Sequence, residues 1–187
     1  MSKKVVVVYH SGFGHTARQA EHVFNGAASV AGVEALRVSV DAVDAHWDDL
    51  AAADAIIFGA PTYMGSVSAQ FKEFMDKSSK VWFGQGWKDK LAAGFTNSAS
   101  QSGDKLNSLV QLMVFSAQHS MLWVSLGLMP GNNSSAGSVE DLNRIGGYAG
   151  AMAQSNADQG AEAMQASDLK TAEHLGRRVA EAVLRLG

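Results

Sequence analysis

The chain reads as an α/β protein: an open, mostly parallel five-stranded sheet with helices on both faces. Three observations predict this. The first and third strand candidates are continuous apolar runs, the pattern of strands buried on both sides. Most of the strand candidates are followed by residues with helical apolar spacing, so strand and helix alternate along the chain. The 187 residues, 47% of them hydrophobic, suit one domain spanning 1–187.

The elements follow in order. Lys4-Val-Val-Val-Val-Tyr9 is the first strand, and the stripe Ala17, Ala20, Val23, Phe24, Ala27, Ala28, Ala31 marks the first helix, stopped by Gly32. Val33 to Val40 is the second strand, with a short, weak helix around Trp47 to Ala53 behind it. Ala55-Ile-Ile-Phe-Gly59 is the third strand, and Val67, Phe71, Phe74 and Met75 mark a helix running to Ser79. Lys90 to Thr96 is the fourth strand, followed by a helix on Leu106, Leu109, Val110, Met113 and Val114. Met121-Leu-Trp-Val124 is the fifth strand, and the stripe Leu169, Ala172, Leu175, Val179, Val183, Leu186 closes the chain as a helix. The segment Gly127 to Ala166 has seven glycines and little periodicity. Such a stretch is either functional or hides an element, and Ser138 to Ile145 is a candidate short helix within it.

Composition narrows function. With no cysteine there is no disulfide, thiolate nucleophile or redox dithiol, so any redox chemistry needs a bound cofactor. A net charge of −3 lacks the basic excess of a nucleic-acid binder. It is also mild for an electron carrier that steers partners by charge. The apolar run Val5 to Val8 is too short for a signal or a spanning helix, which makes a cytoplasmic protein without a membrane segment the expectation. No spacing of histidines and carboxylates suggests a metal site.

Chemistry concentrates in three loops: if the strand order is 2-1-3-4-5, strands one, three and four are adjacent and their following loops meet at one rim, the carboxyl edge where ligands bind in such sheets. After the first strand, His10-Ser11-Gly12-Phe13-Gly14-His15-Thr16 leads into a helix N-terminus, which offers free N–H groups to a phosphate. The alternative is an ordinary turn with Thr16 as helix cap. The loop has no lysine and is not a Walker loop. It also satisfies the dinucleotide fingerprint as Gly12-x-Gly14-x-x-Ala17, with Asp41 ending the second strand. Against that stand the two residues between strand and first glycine and the lack of a sixth strand. Gly59-Ala60 at the end of the third strand lacks the acid of a receiver domain.

The second loop is Ala60-Pro61-Thr62-Tyr63-Met64-Gly65-Ser66, and the third is Asn97-Ser98-Ala99-Ser100-Gln101-Ser102-Gly103. Pro61 and Gly65 favour a defined turn whose main-chain groups face a heterocycle. One anionic pocket beside an aromatic-lined one suits a flat ring on a phosphate tail. Trp82, Phe83 and Trp87 cluster around Gly84-Gln-Gly86 and read as pocket lining, whereas Trp47 and Trp123 read as core. His119 lies at the end of a helix, where an imidazolium gains from the dipole or donates a proton. His10, His22, His46 and His174 read as structural or exposed.

The runs Ser11-Gly-Phe-Gly-His-Thr16, Ile56-Ile-Phe-Gly-Ala-Pro-Thr-Tyr-Met-Gly65, Ala117-Gln-His-Ser-Met121 and Gly146-Gly-Tyr-Ala-Gly150 resemble the WrbA-type family over nearly the whole chain. These are flavodoxin-like NAD(P)H:quinone oxidoreductases that bind FMN. The resemblance implies that Ser11 to Thr16 hold the FMN phosphate, that Thr62, Tyr63 and Met64 meet the isoalloxazine ring largely through backbone, and that Asn97 to Ser102 form a third flavin loop. It implies that His119 lies beside the flavin, often across from a neighbouring subunit, as the catalytic proton donor, with Trp82 and Phe13 at the substrate side. NADH or NADPH and a quinone are the implied partners, in a dimer or tetramer, with ping-pong kinetics. A flavodoxin-type carrier and a flavin-free regulator are the alternatives. The chain departs from the family at Tyr63, where an arginine is common, and at Phe13, where a tyrosine is. Its third loop keeps Gly103 alone where the family is glycine-rich, and the segment between the second and third strands is shorter.

Overall fold

In a computed structural model, which describes residues 2–186, the N-terminal valine run forms β1 (Lys3–Tyr9), an interior strand of the sheet. It pairs in parallel with β2 (Val33–Ser39) and β3 (Ala55–Tyr63), Val5 lying between Ala35 and Ala55. β3 pairs with β5 (Leu91–Ser98), which at its start takes β6 (Leu122–Trp123) as edge strand. The order β2-β1-β3-β5-β6 is the expected 2-1-3-4-5 arrangement of parallel strands.

Alternation along the strands builds two cores. Val6, Val8, Ile56 and Phe58 face the layer of α2 (Trp47–Ala52), α3 (Ala69–Lys77) and α5 (Lys105–Gln118), meeting Leu50, Phe71, Phe74, Leu109 and Leu112. Val5, Val7, Ala55 and Ile57 face α1 (His15–Ala28) and α6 (Ala166–Leu186), meeting Val23, Ala27, Leu175 and Val179. Each fully buried valine contributes on the order of 1.5–3 kcal/mol of burial free energy. α1 and α6 cross in backbone contact through two glycines. A Cβ at Gly26 would lie 1.9 Å from the Glu173 carbonyl oxygen, and one at Gly176 1.9 Å from that of Val23.

The structure corrects several expectations. The third and fourth predicted strands run on into their loops, to Tyr63 and Ser98, so Ala60 to Tyr63 of the second loop and Asn97 and Ser98 of the third are sheet. Met64 (φ 49°) and Gly65 (φ 76°) then turn the chain, and β4 (Ser66–Val67) pairs antiparallel with Thr62 and Tyr63. Two consecutive positive φ values give the tight twist such two-residue hairpins require. Trp82 and Phe83 sit on a short helix, α4 (Ser79–Phe83), not in a loop. Trp87 is not pocket lining: it is 1% exposed and stacks on Trp47 at 6.5 Å, tilted against Phe74 at 6.3 Å.

The aperiodic segment hides an element. β6 leaves the sheet after Trp123, and the chain returns as β7 (Ala151–Gln154), parallel to β5 from Phe95 to Ser98. The edge position is thus shared by two short strands. Between them, residues 138–145 form turns rather than the candidate helix. Trp123 Nε1 donates to the Ala149 carbonyl at 2.8 Å, closing the excursion.

Candidate functional site: a cavity at the carboxyl edge

The ladder of β1 extends one residue beyond the strand, with His10 N–H donating to the Gly59 carbonyl at 3.0 Å. Ser11 Oγ then accepts from Gly14 N–H at 3.1 Å, which curls the loop. Gly14 is the helix cap, at φ 91°, a conformation that suits glycine. Thr16 is therefore not the cap but lies within the first turn of α1. The first-turn N–H groups have no acceptor within the helix and face the region where an anion is favoured.

The hairpin brings the second set of groups. Thr62 Oγ1 is engaged inward, 2.8 Å from both Thr96 Oγ1 and Ser108 Oγ, so its backbone is what remains for a ligand. Tyr63 is pushed up in pKa by burial, and its ring lies edge-on to Phe13 at 6.3 Å. Met64, at the hairpin tip, is fully exposed, and Phe13 is 79% exposed.

β5 delivers the third set. Asn97 is 5% exposed; its Nδ2 donates to Ser155 Oγ at 2.8 Å, while its Oδ1 is buried without a partner. Ser155 and Ala157, just past β7, complete the wall, and Gln154 Nε2 donates to the Ala99 carbonyl at 2.8 Å. His15 Nε2 lies 2.9 Å from the Gln159 carbonyl, tying this segment to α1. Behind it, Arg144 grips Asp168 through Nε–Oδ1 at 2.9 Å and Nη2–Oδ2 at 2.6 Å. Asp168 also accepts from Gln154 N–H, and burial holds its carboxyl above the usual range against the pull of Arg144.

Together these loops enclose a cavity of about 490 Å³. Ser11, Phe13, His15 and Thr16 line it from the first loop, Pro61, Thr62, Tyr63 and Met64 from the second, and Asn97, Ser98 and Ala99 from the third. Gly12 packs against Tyr63, since a Cβ there would lie 2.7 Å from Tyr63 Oη, and Gly65 makes the hairpin turn. Ser100, Gln101 and Ser102 do not reach the cavity: the chain turns back after Ala99, and Gln101 and Ser102 line a separate polar cleft with Arg144. Sequence reasoning missed Ser155 and Ala157, because β7 carries no β-branched residue to announce it.

His119 and Trp82 lie elsewhere. They line an apolar groove of about 570 Å³ between α3, α4 and α5, together with Met75, Val110, Val114 and Phe115. His119 caps α5, 2% exposed, with Trp87 at 4.4 Å and Phe115 at 4.9 Å. Ser78 Oγ donates to the Met75 carbonyl, so it accepts from His119 Nε2–H at 2.9 Å, and Nδ1 is left without a partner. Burial lowers the His119 pKa to about 4. The ring is neutral at pH 7, so the imidazolium expected at the helix end does not form there. His10 and His174 are likewise lowered by burial. Among the described residues no group of histidines and acids can hold a metal ion, and no helix is long and apolar enough to cross a membrane.

Comparison with known proteins decides the family. The signature described as NADPH-dependent FMN reductase matches residues 28–129. A flavodoxin, WrbA-like protein from Agrobacterium tumefaciens superposes with a TM-score of 0.79 at 45% identity, covering 100% of both chains. This chain belongs to the WrbA-type flavodoxin-like family. Flavodoxin FldP from Pseudomonas aeruginosa is 47% identical over 95% of both chains. An NAD(P)H dehydrogenase (quinone) from Acidithiobacillus ferrooxidans is 30% identical over 98% of both. The WrbA-type chain is thus a member of an FMN-binding oxidoreductase family with a flavodoxin-like fold. Its edge cavity suits that cofactor: open N–H groups at a helix N-terminus for a phosphate, hairpin backbone for a ring, and an unpartnered Asn97 oxygen for a ring N–H or ribityl hydroxyl.

Proposed function

We propose that the chain is an FMN-dependent NAD(P)H:quinone oxidoreductase, acting as one cytoplasmic domain with the cofactor in the edge cavity. The observation that carries this reading is the rim. Phe13 and Met64 stand exposed beside Tyr63 at the mouth of a cavity sized for a flavin, so a second flat ring has an apolar frame in which to stack. When bound, FMN accepts a hydride and passes on two electrons.

The residues then have distinct tasks. Ser11, Gly12, Gly14, His15, Thr16 and the open N–H groups of α1 hold the phosphate. Pro61 to Gly65 present backbone to one edge of the ring, and Asn97, Ser98 and Ala99 close the other. Phe13, Tyr63 and Met64 order nicotinamide and quinone in turn at one face. Protons for the quinone come from solvent through the open mouth, since His119 is neutral and buried in a different place. The two substrates share one position, which requires ping-pong kinetics.

Trp82 and the groove beside it enter this reading through a second copy of the chain. Leu106, Val110, Met113 and Val114 expose an apolar stripe on α5, continuous with the groove, and Trp82 and Phe83 flank it. A homo-oligomer would cover this face and set Trp82 toward a neighbour's flavin. A second reading, an electron carrier without its own substrate, is favoured by the name of the 47% relative.

Anaerobic mixing of the FMN-loaded protein with NADH or NADPH separates the two. Bleaching of the flavin followed by recovery on adding benzoquinone supports the enzyme. A bound flavin that neither nucleotide bleaches supports the carrier. A protein that takes up no FMN sinks both.

A further inference from the structure

Lys105 opens α5, a position where a lysine normally reaches into water, yet it is only 1% exposed. Its Nζ donates to Ser98 Oγ at 2.7 Å and to the Ser100 carbonyl at 2.8 Å, and Ser98 Oγ donates to the same carbonyl at 2.9 Å. The third loop is wound around this ammonium. Gly103, at φ 54°, completes the winding: a Cβ there would lie 2.2 Å from Ser98 Oγ. A buried lysine thus organises the loop that retains only one glycine.

Among the described residues no carboxylate lies within ion-pair distance of Lys105. The one acid that acts on it electrostatically, Asp168, is already clamped by Arg144. Two cations and one anion leave an uncompensated positive charge in the interior. Burial lowers the Lys105 pKa to about 8, with Asp168 opposing and Arg144 reinforcing that shift, so the amine is still charged at pH 7. A buried unpaired charge is costly unless something of opposite sign approaches it. The wall in front of it is Ser98 and Ala99, which line the edge cavity.

We propose that Lys105 is a positioning residue for the reduced cofactor, a cation set behind the Ser98–Ala99 wall that makes the site favour reduced over oxidised FMN. The inference rests on the FMN reading above. Hydride transfer from a nicotinamide brings two electrons and one proton, so the ring gains one negative charge until a second proton arrives from solvent. A fixed cation bonded to the back of Ser98, one side chain from the cavity, lowers the energy of that charged state and leaves the neutral oxidised ring unaffected. Ser98 and Ser100 transmit position, and the charge supplies the bias.

The test titrates apoprotein with oxidised FMN in air and with dithionite-reduced FMN under argon, for wild type and Lys105→Met. The variant should shift the ratio of the two dissociation constants by about tenfold toward the oxidised form, equal to about 30 mV in a two-electron potential. A role confined to loop shape weakens both forms alike and leaves the ratio unchanged, which overturns the proposal while FMN binding stands. If wild type binds neither form, the FMN reading itself falls. Should Lys105→Met not fold, the wild-type potential against pH decides. An anionic reduced ring near about pH 6 gives a slope of about 30 mV per pH unit, one proton for two electrons. A slope twice as steep there means that two protons are taken up and contradicts the assignment.

Discussion

The cavity at the sheet edge is assembled from loops and sets hydroxyls and an unpartnered amide oxygen beside an apolar rim of Phe13, Tyr63 and Met64, whereas the groove on the α3–α5 flank is lined by helices and is mostly apolar. Each holds a buried nitrogen base, and the two are treated in opposite ways. Lys105 beside the cavity keeps its charge by donating to two oxygens, while His119 beside the groove is surrounded by Trp87 and Phe115 and stays neutral. Under the proposed function, the difference separates a place that meets an anionic ligand from a place that meets another apolar surface. The residues that resemblance assigns to one active site are, within one chain, divided between the two.

The comparison breaks most visibly in the aromatic cluster under the groove. Trp87→Ala removes the ring shared by Trp47, Phe74 and His119, and should cost about 3–5 kcal/mol in urea denaturation. Next comes pH. A histidine whose folded pKa is lowered takes up its proton more readily when unfolded, so stability is lost as pH falls from 6.5 toward about 4. The slope from His119 approaches about 1.4 kcal/mol per pH unit in that window. His119→Gln, which keeps a donor for Ser78, should flatten the part of the slope that His10 and His174 do not supply.

At the cavity, effects should appear in ligand affinity and not in folding. Thr16→Val is expected to weaken FMN binding by about 1.5–3 kcal/mol, the size of a hydrogen bond to a charged group, with the denaturation midpoint of the apoprotein unchanged. At the groove's exposed stripe the effect should appear in assembly and hardly in stability. Val110→Asp should change folding by less than about 0.5 kcal/mol yet reduce the particle size in light scattering to that of a monomer, with FMN affinity retained. A monomeric wild type would remove the second copy from the account.

The parallel core was legible because valine and isoleucine runs buried on both faces have no other reading at that length. Thr16, Tyr63 and Asn97 were legible because loops after adjacent parallel strands must meet at one rim. Other features depended on contacts that spacing does not encode. Ala151-Met-Ala-Gln154 pairs only with the end of β5, and its small side chains give no strand signal. Trp87 follows a glycine-broken segment and so resembles a loop aromatic, yet it fills the gap between α2, α3 and α5. Lys105 looks like any lysine at a helix start until Ser98 and Ser100 are folded over it.

The central claim is that the edge cavity holds a flavin by its ring and by its phosphate at the start of α1. Parallel titrations of the apoprotein with FMN and with riboflavin, followed by flavin fluorescence, test it most directly. One FMN should bind per chain, tighter than riboflavin by at least about tenfold, the worth of about 1.4 kcal/mol from a single phosphate contact. Equal affinity for the two, or no binding of either, would contradict the account.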